Sequence, residues 1–199
     1  MKKNNSALLI FIKNIEKGKV KTRLAATVGD DRALAIYQAL LGHTRKIAAA
    51  TDAERYLFYS QFIKKEDAWS NTDFQKVLQI QGDLGEKMAE GFRHAFQSQE
   101  KVVIVGSDCA SLTAEIVADA FKVLNDKDFV IGPAIDGGYY LIGMRQFLPE
   151  VFQGIEWSTA AVFPDTVKKI EGMGNTFGLL PELSDIDFEE DWDKYGWEI

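Results

Sequence analysis

The stretch Lys101 to Leu112, reading KVVIVGSDCASL, constrains the fold more than any other part of the chain. Its apolar run, Val102 to Gly106, is rich in β-branched side chains and is typical of a strand buried on both faces of a parallel sheet. Asp108 follows at the strand end, where open α/β sheets bind their ligands. Thr113 to Leu124 then shows the apolar spacing of a helix. The stretch therefore predicts a strand and a helix, with the Asp108 carboxylate between them in a position to bind a ligand. The alternative is that Asp108 only caps a turn.

Similar apolar runs recur along the chain. They predict further strands at Ala7 to Ile12, Glu54 to Tyr59, Val77 to Ile80, Phe129 to Pro133, Tyr139 to Ile142 and Phe177 to Leu180. Helical patterns separate them, at Asp31 to Ala50 with Asp30 as cap, at residues following Asp83 to about Gln97, and at Ala160 to Glu171 with Ser158 or Thr159 as cap. This order predicts a single three-layer α/β domain over residues 1–199, with a mostly parallel sheet and a late β-hairpin at the sheet edge.

Composition and charge exclude several classes of function. The formal net charge of -7 disfavours a nucleic-acid partner, because such partners select for clustered Lys and Arg. Cys109 is the one cysteine, which rules out an internal disulfide and fits a reducing compartment, so we expect a cytoplasmic protein. The apolar run near the N-terminus lasts only from Ala7 to Ile12, and no segment approaches the ~20 apolar residues of a membrane span. We therefore expect no membrane partner.

A basic segment follows the first predicted strand. It reads KNIEKGKVKTRL and carries Lys13, Lys17, Lys19, Lys21 and Arg23 in an otherwise acidic chain. A basic, glycine-containing loop at this point of an α/β fold is well placed to hold phosphates. The alternative is a solvated surface loop, the usual fate of a charge run. The segment has neither the GxxxxGK[ST] nor the GxGxxG spacing.

Two glycine-containing turns are further candidates for a binding site. Gly82 and Gly85 flank Asp83 before a helix, and they permit close approach of a flat ligand such as a nucleobase, although a simple strand-to-helix turn is the leading interpretation. The run Asp136 to Gly138 predicts a hairpin turn, which in isolation is the better interpretation of DGG. Trp157 is a candidate for stacking on a ligand, although a core position is commoner for tryptophan.

Taken together, six segments resemble a known family. FIKNIEKGKVKTRL, QGDLGEKM, VIVGSDCASL, GPAIDGGYYLIGM, EWST and LSDIDFEED occur in this order over nearly the whole chain. The combination resembles the bacterial glycosyltransferase-A-like proteins often described as glycosyltransferases of the arsenosugar-biosynthesis type. These are similar to phospholactate guanylyltransferase and to molybdenum-cofactor nucleotidyltransferases. The resemblance implies a Rossmann-like nucleotide-diphospho-sugar transferase fold, also called GT-A, with the nucleotide at the strand ends.

The resemblance also implies roles for individual residues. Lys21, Thr22 and Arg23 match the phosphate-facing KTRL of the family, and Asp108 matches the aspartate that holds a divalent metal. Asp187 matches a late aspartate that completes the metal site, with Asp185 as its substitute. Asp136 lines the acceptor side of the site, and we also expect it to act in catalysis. The expected acceptor pocket consists of Gly137, Gly138, Trp157 and Ser158. The expected cofactor is Mg²⁺ or Mn²⁺.

The chemistry of such a site leaves three hypotheses. In either glycosyl or nucleotidyl transfer the leaving group is a phosphate or pyrophosphate, whose charge a carboxylate-held divalent cation neutralises. The leading hypothesis is a metal-dependent glycosyltransferase that uses a nucleotide-sugar donor and a small-molecule acceptor. The second is a nucleotidyltransferase that activates a small phosphorylated or sugar-like acceptor. The third is a non-catalytic nucleotide-binding domain, against which the joint presence of Lys21, Arg23, Asp108 and Asp136 argues.

Overall fold

The structure is a computed structural model, and it describes residues 5–199, so the first four residues of the predicted domain lie outside the described residues. The strands are β1 (Ser6–Ile12), β2 (Glu54–Tyr59), β3 (Gln75–Leu78), β4 (Lys101–Val105), β5 (Phe129–Pro133), β6 (Tyr139–Met144) and β7 (Phe177–Leu179). The helices are α1 (Thr22–Val28), α2 (Asp30–Ala50), α3 (Leu84–Ala95), α4 (Ala114–Val123), α5 (Val162–Gly172) and α6 (Glu189–Tyr195), with a 3₁₀ helix at Pro149–Phe152. The alternating α/β architecture is confirmed.

All seven strands form one sheet, in the order β3-β2-β1-β4-β6-β5-β7. The strand β4 lies at its centre, where it pairs in parallel with β1 and antiparallel with β6. The prediction of a mostly parallel sheet with Val102 to Gly106 away from its edge is therefore confirmed. Within residues 5–199, none of the helices combines the length and the apolar character needed to cross a bilayer.

The position predicted for the hairpin is wrong. The strands β5 and β6 do form an antiparallel pair, but β6 also pairs with β4 and β5 also pairs with β7, so the hairpin lies inside the sheet. It also separates β5 from β4 in the sheet. The physical reason is burial, because Tyr140 to Met144 is buried on both faces of the sheet and such a strand cannot lie at an edge exposed to water. The short strand β7 forms that edge instead.

Helices cover both faces of the sheet and make three layers. Alternate residues of β1 point to opposite faces, so Leu8 and Ile10 pack with α2 and α4, while Ala7 and Leu9 pack with α3, α5 and the 3₁₀ helix. A third apolar cluster joins α1, α2 and α6 around Leu24, Ile36, Ile186 and Trp192. This cluster anchors the basic segment and the C-terminal segment side by side.

The predicted helix starts need correction. The helix α2 begins at Asp30 and its N-cap is Gly29, whose φ of 80° lets the chain reverse tightly after α1. Asp30 therefore lies in the first turn, where its negative charge interacts favourably with the positive end of the helix dipole. The helix α5 begins at Val162, and neither Ser158 nor Thr159 caps it. The Thr159 hydroxyl instead donates to the Glu156 carbonyl, which holds the preceding turn.

A glycine in the central hairpin generates a stability prediction. A Cβ added at Gly143 would lie 2.8 Å from Val103 Cγ2, 2.9 Å from Val130 Cγ1 and 3.0 Å from the Val102 carbonyl oxygen. We expect Gly143→Ala to lower the free energy of unfolding by about 1–3 kcal/mol, because neighbouring strands must separate to admit it. Urea denaturation followed by circular dichroism measures the change.

The matched control is Gly42→Ala in α2, where an added Cβ meets nothing within 4 Å. This change should raise the free energy of unfolding by about 0.5–1 kcal/mol, because alanine has the lower backbone entropy cost in a helix. A neutral or stabilising Gly143→Ala would show that β6 does not pack as described.

Candidate active site

The C-terminal segment returns to the end of the central strand and places two carboxylates together. The Ile186 amide donates to the Asp108 carbonyl at 2.9 Å, and Asp185 pairs with Cys109 as an antiparallel bridge. Ile186 is fully buried, and this burial holds Asp187 beside Asp108. Phe188, two residues further on, is 51% exposed. Phe188 is the N-cap of α6, and that helix buries Trp192 instead.

Lys21 lies between these two carboxylates. Its ammonium nitrogen is 2.6 Å from Asp108 Oδ1 and 3.9 Å from Asp187 Oδ1, and it donates to the Ile186 carbonyl at 2.7 Å. The Lys21 side chain is only 5% exposed. Its backbone has a φ of 49° at the N-cap of α1, a left-handed conformation that costs a non-glycine residue about 1 kcal/mol or more. The fold therefore directs a buried cation to the position between Asp108 and Asp187.

Arg23 binds Asp187 from the solvent side. Its NH1 nitrogen lies 2.9 Å from Asp187 Oδ2, and its side chain is 63% exposed. Asp191 fixes the backbone at this point, because its Oδ2 accepts from the amides of Asp187 and Phe188 at 3.0 and 2.8 Å. Guanidinium groups present several donors in a planar fork, so Arg23 keeps donors for another oxyanion while it pairs with Asp187.

The remaining lysines of the basic segment divide into two sets. Lys17 pairs with Asp31 at 2.6 Å and Lys19 pairs with Glu16 at 2.5 Å, which leaves both as surface ion pairs. The Lys13 ammonium forms no ion pair within the described part of the chain, and its side chain lines the site. The Tyr37 hydroxyl accepts from the Lys13 amide and donates to its carbonyl, at 2.8 and 2.9 Å, which fixes the start of the loop.

Three adjoining cavities open around Asp108 and Asp187. The basic pocket, about 300 Å³, is lined by Lys13, Val20, Lys21, Thr22, Arg23, Tyr37, Asp108 and Asp187. The central cleft, about 390 Å³, lies at the ends of β1 and β4, and its lining includes Phe11, Lys13, Tyr37, Ser60, Gln79, Lys87, Met88, Asp108, Tyr139 and Asp185. The acidic pocket, about 380 Å³, is lined by Arg23, Leu84, Asp136, Gly138, Tyr139, Trp157, Ser158, Thr159, Ala160, Val162, Asp185 and Asp187.

The central cleft contains side chains that the sequence did not indicate. Tyr37 belongs to the buried stripe of α2, and Tyr139 begins β6, so each fits a core position by its spacing. Burial raises the Tyr37 pKa above its usual range, and the nearby charge of Asp108 adds to the rise, so Tyr37 remains a neutral hydrogen-bonding group. Lys87 brings a second cation to the cleft from α3. Its position in the QGDLGEKM segment was the only available signal.

The acidic pocket contains most of the residues predicted for the acceptor side. Asp136, Gly138, Trp157 and Ser158 line it, and Asp136 Oδ1 accepts from the Gly138 amide at 2.9 Å. Asp185 lies between the acidic pocket and the central cleft, and within residues 5–199 its carboxylate has no hydrogen-bond or ion-pair partner. Burial, together with the nearby charge of Asp108, raises the pKa of Asp185 to about 7, while Lys21 opposes the rise.

Three predicted glycines lie beside the cavities without lining them. A Cβ at Gly137 would lie 2.5 Å from backbone atoms of Ala160, so this glycine lets the hairpin turn pack on the next loop. A Cβ at Gly85 would lie 2.7 Å from Trp157 Cζ2, so Gly85 is the surface on which the indole rests. Gly82 has a φ of 135° and precedes the capping box of Asp83 and Glu86 that starts α3.

The site offers oxygen ligands that suit a divalent cation. Asp108 and Asp187 supply the carboxylate oxygens that Mg²⁺ and Mn²⁺ prefer, and Mg²⁺ is usually held by one or two carboxylates together with phosphates and water. Within residues 5–199, no three side chains of His, Cys, Asp or Glu are arranged to hold a metal ion alone. The residues therefore fit a cation whose coordination a phosphate ligand completes.

A comparison with protein families identifies the family. Residues 43–159 match the family DUF2064, described as an uncharacterized protein conserved in bacteria. The chain belongs to this family. The matched region runs from α2 through Trp157 and Ser158, so it includes Asp108 and Asp136. No curated protein matches the chain in sequence.

Solved structures extend the comparison. A Desulfovibrio desulfuricans G20 protein, provisionally described as a nucleotide-diphospho-sugar transferase, is 36% identical with a TM-score of 0.87, over 93% of this chain and 83% of that chain. The inositol-1-phosphate CTP transferase from T. maritima is 11% identical with a TM-score of 0.61, over 95% and 91%. Rv0371c from Mycobacterium tuberculosis H37Rv, in complex with manganese, is 11% identical with a TM-score of 0.58, over 96% and 97%. The fold is that of nucleotide-diphospho-sugar transferases.

The contact between Gly85 and Trp157 generates a prediction about the acidic pocket. Gly85→Ala would place a methyl group 2.7 Å from Trp157 Cζ2 and 3.0 Å from the Phe152 carbonyl oxygen. We expect the indole to shift, the near-ultraviolet circular dichroism of tryptophan to change, and the free energy of unfolding to fall by about 1–3 kcal/mol. The control is Gly172→Ala in α5, where nothing lies within 4 Å. An unchanged tryptophan spectrum in Gly85→Ala would contradict this packing.

Proposed function

We propose that this protein is a metal-dependent glycosyltransferase that uses a nucleotide-sugar donor and a small-molecule acceptor. The observation that carries the proposal is the convergence of Lys21 and Arg23 on Asp108 and Asp187, at the mouth of a cleft that follows the central strands. Its resemblance to arsenosugar-biosynthesis-type glycosyltransferases and its 36% identity to the Desulfovibrio protein support the choice of reaction.

Each cavity receives a part of the reaction. The nucleoside occupies the central cleft, where Phe11 and Met88 offer apolar surface. Gly82 and Gly85 lie at the start of α3, beside this cleft. The phosphates occupy the basic pocket, where they contact Lys13, Lys21, Thr22 and Arg23. The acceptor occupies the acidic pocket formed around Gly138, Trp157 and Ser158, with Gly137 setting the turn beneath it.

The transfer step assigns a role to Asp136. An acceptor hydroxyl oxygen forms a bond to the anomeric carbon of the sugar, and the bond from that carbon to the phosphate oxygen breaks, with its electron pair leaving on the phosphate. Asp136 accepts the hydroxyl proton. Lys21 and Arg23 stabilise the phosphate charge that develops. Asp108 and Asp187 would hold Mg²⁺ or Mn²⁺, which supplies further neutralisation of that leaving group.

Nucleotidyl transfer is the second candidate. It is supported by the structural similarity to the inositol-1-phosphate CTP transferase. The same residues would serve it, since the site would then stabilise pyrophosphate released from a nucleoside triphosphate. Phosphorus NMR of the products separates the two reactions, because glycosyl transfer releases a nucleoside diphosphate or monophosphate and nucleotidyl transfer releases pyrophosphate.

Replacement of Asp108 tests the metal site. We expect Asp108→Asn to weaken Mn²⁺-dependent binding of a nucleoside diphosphate by about tenfold or more, because one anionic ligand is lost while the backbone bond to Ile186 is kept. Isothermal titration calorimetry with and without Mn²⁺ measures the difference. Asp119→Asn is the matched control, since Asp119 pairs only with Lys122 on the surface of α4. Equal metal-dependent affinities for the native chain and Asp108→Asn would remove Asp108 from the mechanism.

Replacement of Lys21 separates metal binding from phosphate binding. Lys21→Met keeps the length of the side chain and removes the cation that lies between Asp108 and Asp187. We expect Mn²⁺ alone to bind several-fold more tightly, because the two carboxylates lose their internal counter-charge, and the nucleoside diphosphate to bind about tenfold more weakly.

Mn²⁺ electron paramagnetic resonance measures the free metal in both chains. Lys19→Met is the control, because Lys19 pairs with Glu16 outside the site. The counter-charge role of Lys21 would be refuted by unchanged or weaker Mn²⁺ binding in a folded Lys21→Met protein.

A further inference from the structure

We propose that the acidic pocket selects a neutral, hydroxylated acceptor such as a sugar or another polyol, and excludes phosphorylated acceptors. This inference rests on the proposed transferase function and goes further, because it assigns the chemical class of the second substrate. The evidence lies in the charges, the hydrogen-bonding capacity and the one aromatic wall of the acidic pocket.

The charge of the pocket opposes a phosphate. Asp136, Asp185 and Asp187 line it against one cation, Arg23, and that guanidinium already pairs with Asp187. The formal charge of the lining is therefore negative even when Asp185 is protonated. A phosphate monoester carries close to two negative charges at neutral pH, and it would lie within a few ångströms of carboxylates of the same sign. The cations that suit a phosphate, Lys13 and Lys21, line the basic pocket instead.

The hydrogen-bonding capacity of the pocket favours hydroxyl groups. The Asp185 carboxylate is partly buried and has no hydrogen-bond or ion-pair partner within the described residues. Asp136 uses Oδ1 for the Gly138 amide, and no contact of its Oδ2 is seen in residues 5–199. An ionised carboxylate only accepts hydrogen bonds, so the ligand must bring donors, and a polyol brings several.

Trp157 gives the pocket an apolar wall. Its indole lines the cavity while Cζ2 packs against Gly85, so the ring is supported in place. A tryptophan ring offers a broad, rigid surface to the apolar faces of a flat or cyclic ligand. Carboxylates that accept hydrogen bonds from hydroxyl groups suit the polar edge of a sugar ring, and the neighbouring aromatic wall suits its apolar face. Ser158, with a φ of 66°, adds a hydroxyl without any partner in the described residues.

The test uses the full chain labelled with 5-fluorotryptophan, without nucleotide or metal. Fluorine NMR gives one resonance each for Trp69, Trp157, Trp192 and Trp197, assigned by single Trp→Phe replacements. The probes are ribose against ribose 5-phosphate, glucose against glucose 1-phosphate, and glucosamine, each titrated to about 0.1 M so that millimolar complexes are detected. Trp197 lies against His43 and serves as the remote reference.

We expect the neutral sugars to shift the Trp157 resonance and to leave Trp197 unmoved. We expect the affinity of each phosphorylated sugar at Trp157 to be lower than that of its neutral partner by a factor of about ten or more. Asp185→Asn keeps the shape of the side chain. It should weaken neutral-sugar binding several-fold, and it should reduce the difference in affinity between each sugar and its phosphorylated partner. Asp119→Asn should change neither.

Three results would overturn the proposal: tighter binding of the phosphorylated partner at Trp157, a shift caused by glucosamine alone, or a Trp157 resonance that no neutral sugar moves. Because these titrations contain no nucleotide, they test the acceptor class apart from the transferase proposal, which depends on Asp108 and nucleotide binding. A sugar-responsive Trp157 together with metal-dependent nucleotide binding that Asp108→Asn leaves intact would retain the acceptor site and reject the transferase mechanism.

Discussion

The hydrogen bond from the Ile186 amide to the Asp108 carbonyl is the constraint on which the site depends. This hydrogen bond holds the C-terminal segment against the end of β4, although the two are far apart in sequence. The Ile186 side chain is fully buried, so apolar packing stabilises the same contact from the core side. Asp185 and Asp187 flank Ile186, so they extend away from its buried side chain. Asp185 and Asp187 therefore take their positions beside Asp108 from one backbone pairing and one buried aliphatic residue.

Such a cluster of carboxylates opposes folding unless cations accompany it. Lys21 and Arg23 supply them from α1, which the third apolar cluster ties to α6 through Leu24 and Trp192. The position of Lys21 is specific, since its ammonium nitrogen lies 2.6 Å from Asp108 Oδ1, 2.7 Å from the Ile186 carbonyl oxygen and 3.9 Å from Asp187 Oδ1. The left-handed backbone at Lys21 is a local cost that this arrangement sustains, as is common at functional sites.

The sequence predicts those parts of the structure that local patterns determine. The strands β1, β2, β4 and β5 follow from apolar runs, whereas β3 begins two residues before its predicted start. The position of Asp108 after β4, and of Lys21 in the segment after β1, follows from the chain order. The location of β6 inside the sheet could not be predicted from the sequence. A hairpin signal specifies that β5 and β6 pair, but it does not specify that β6 pairs with β4 on its other side. The helices α1 and α6 were missed because each has only seven residues, too few to be helical without tertiary packing. Gly85 was interpreted first as part of a strand-to-helix turn and second as a close approach to a ligand, while the contact that requires it is Trp157, a partner 72 positions away that no local pattern reveals.

The separation of charge across the site has a consequence for the direction of the chemistry. Cations gather where Lys13 and Lys21 line the basic pocket, and carboxylates dominate where Asp136 and Asp185 line the acidic pocket. A donor that carries phosphates is attracted to one side, and its sugar then extends toward the other, where hydroxyl groups find acceptors. Arg23 and Asp187 line both pockets, so in the proposed reaction the bond to be broken lies between the stabilised leaving group and the base. In the same proposal this polarity keeps a second phosphate out of the acidic pocket, so the electrostatics that bind the donor also discriminate between acceptors.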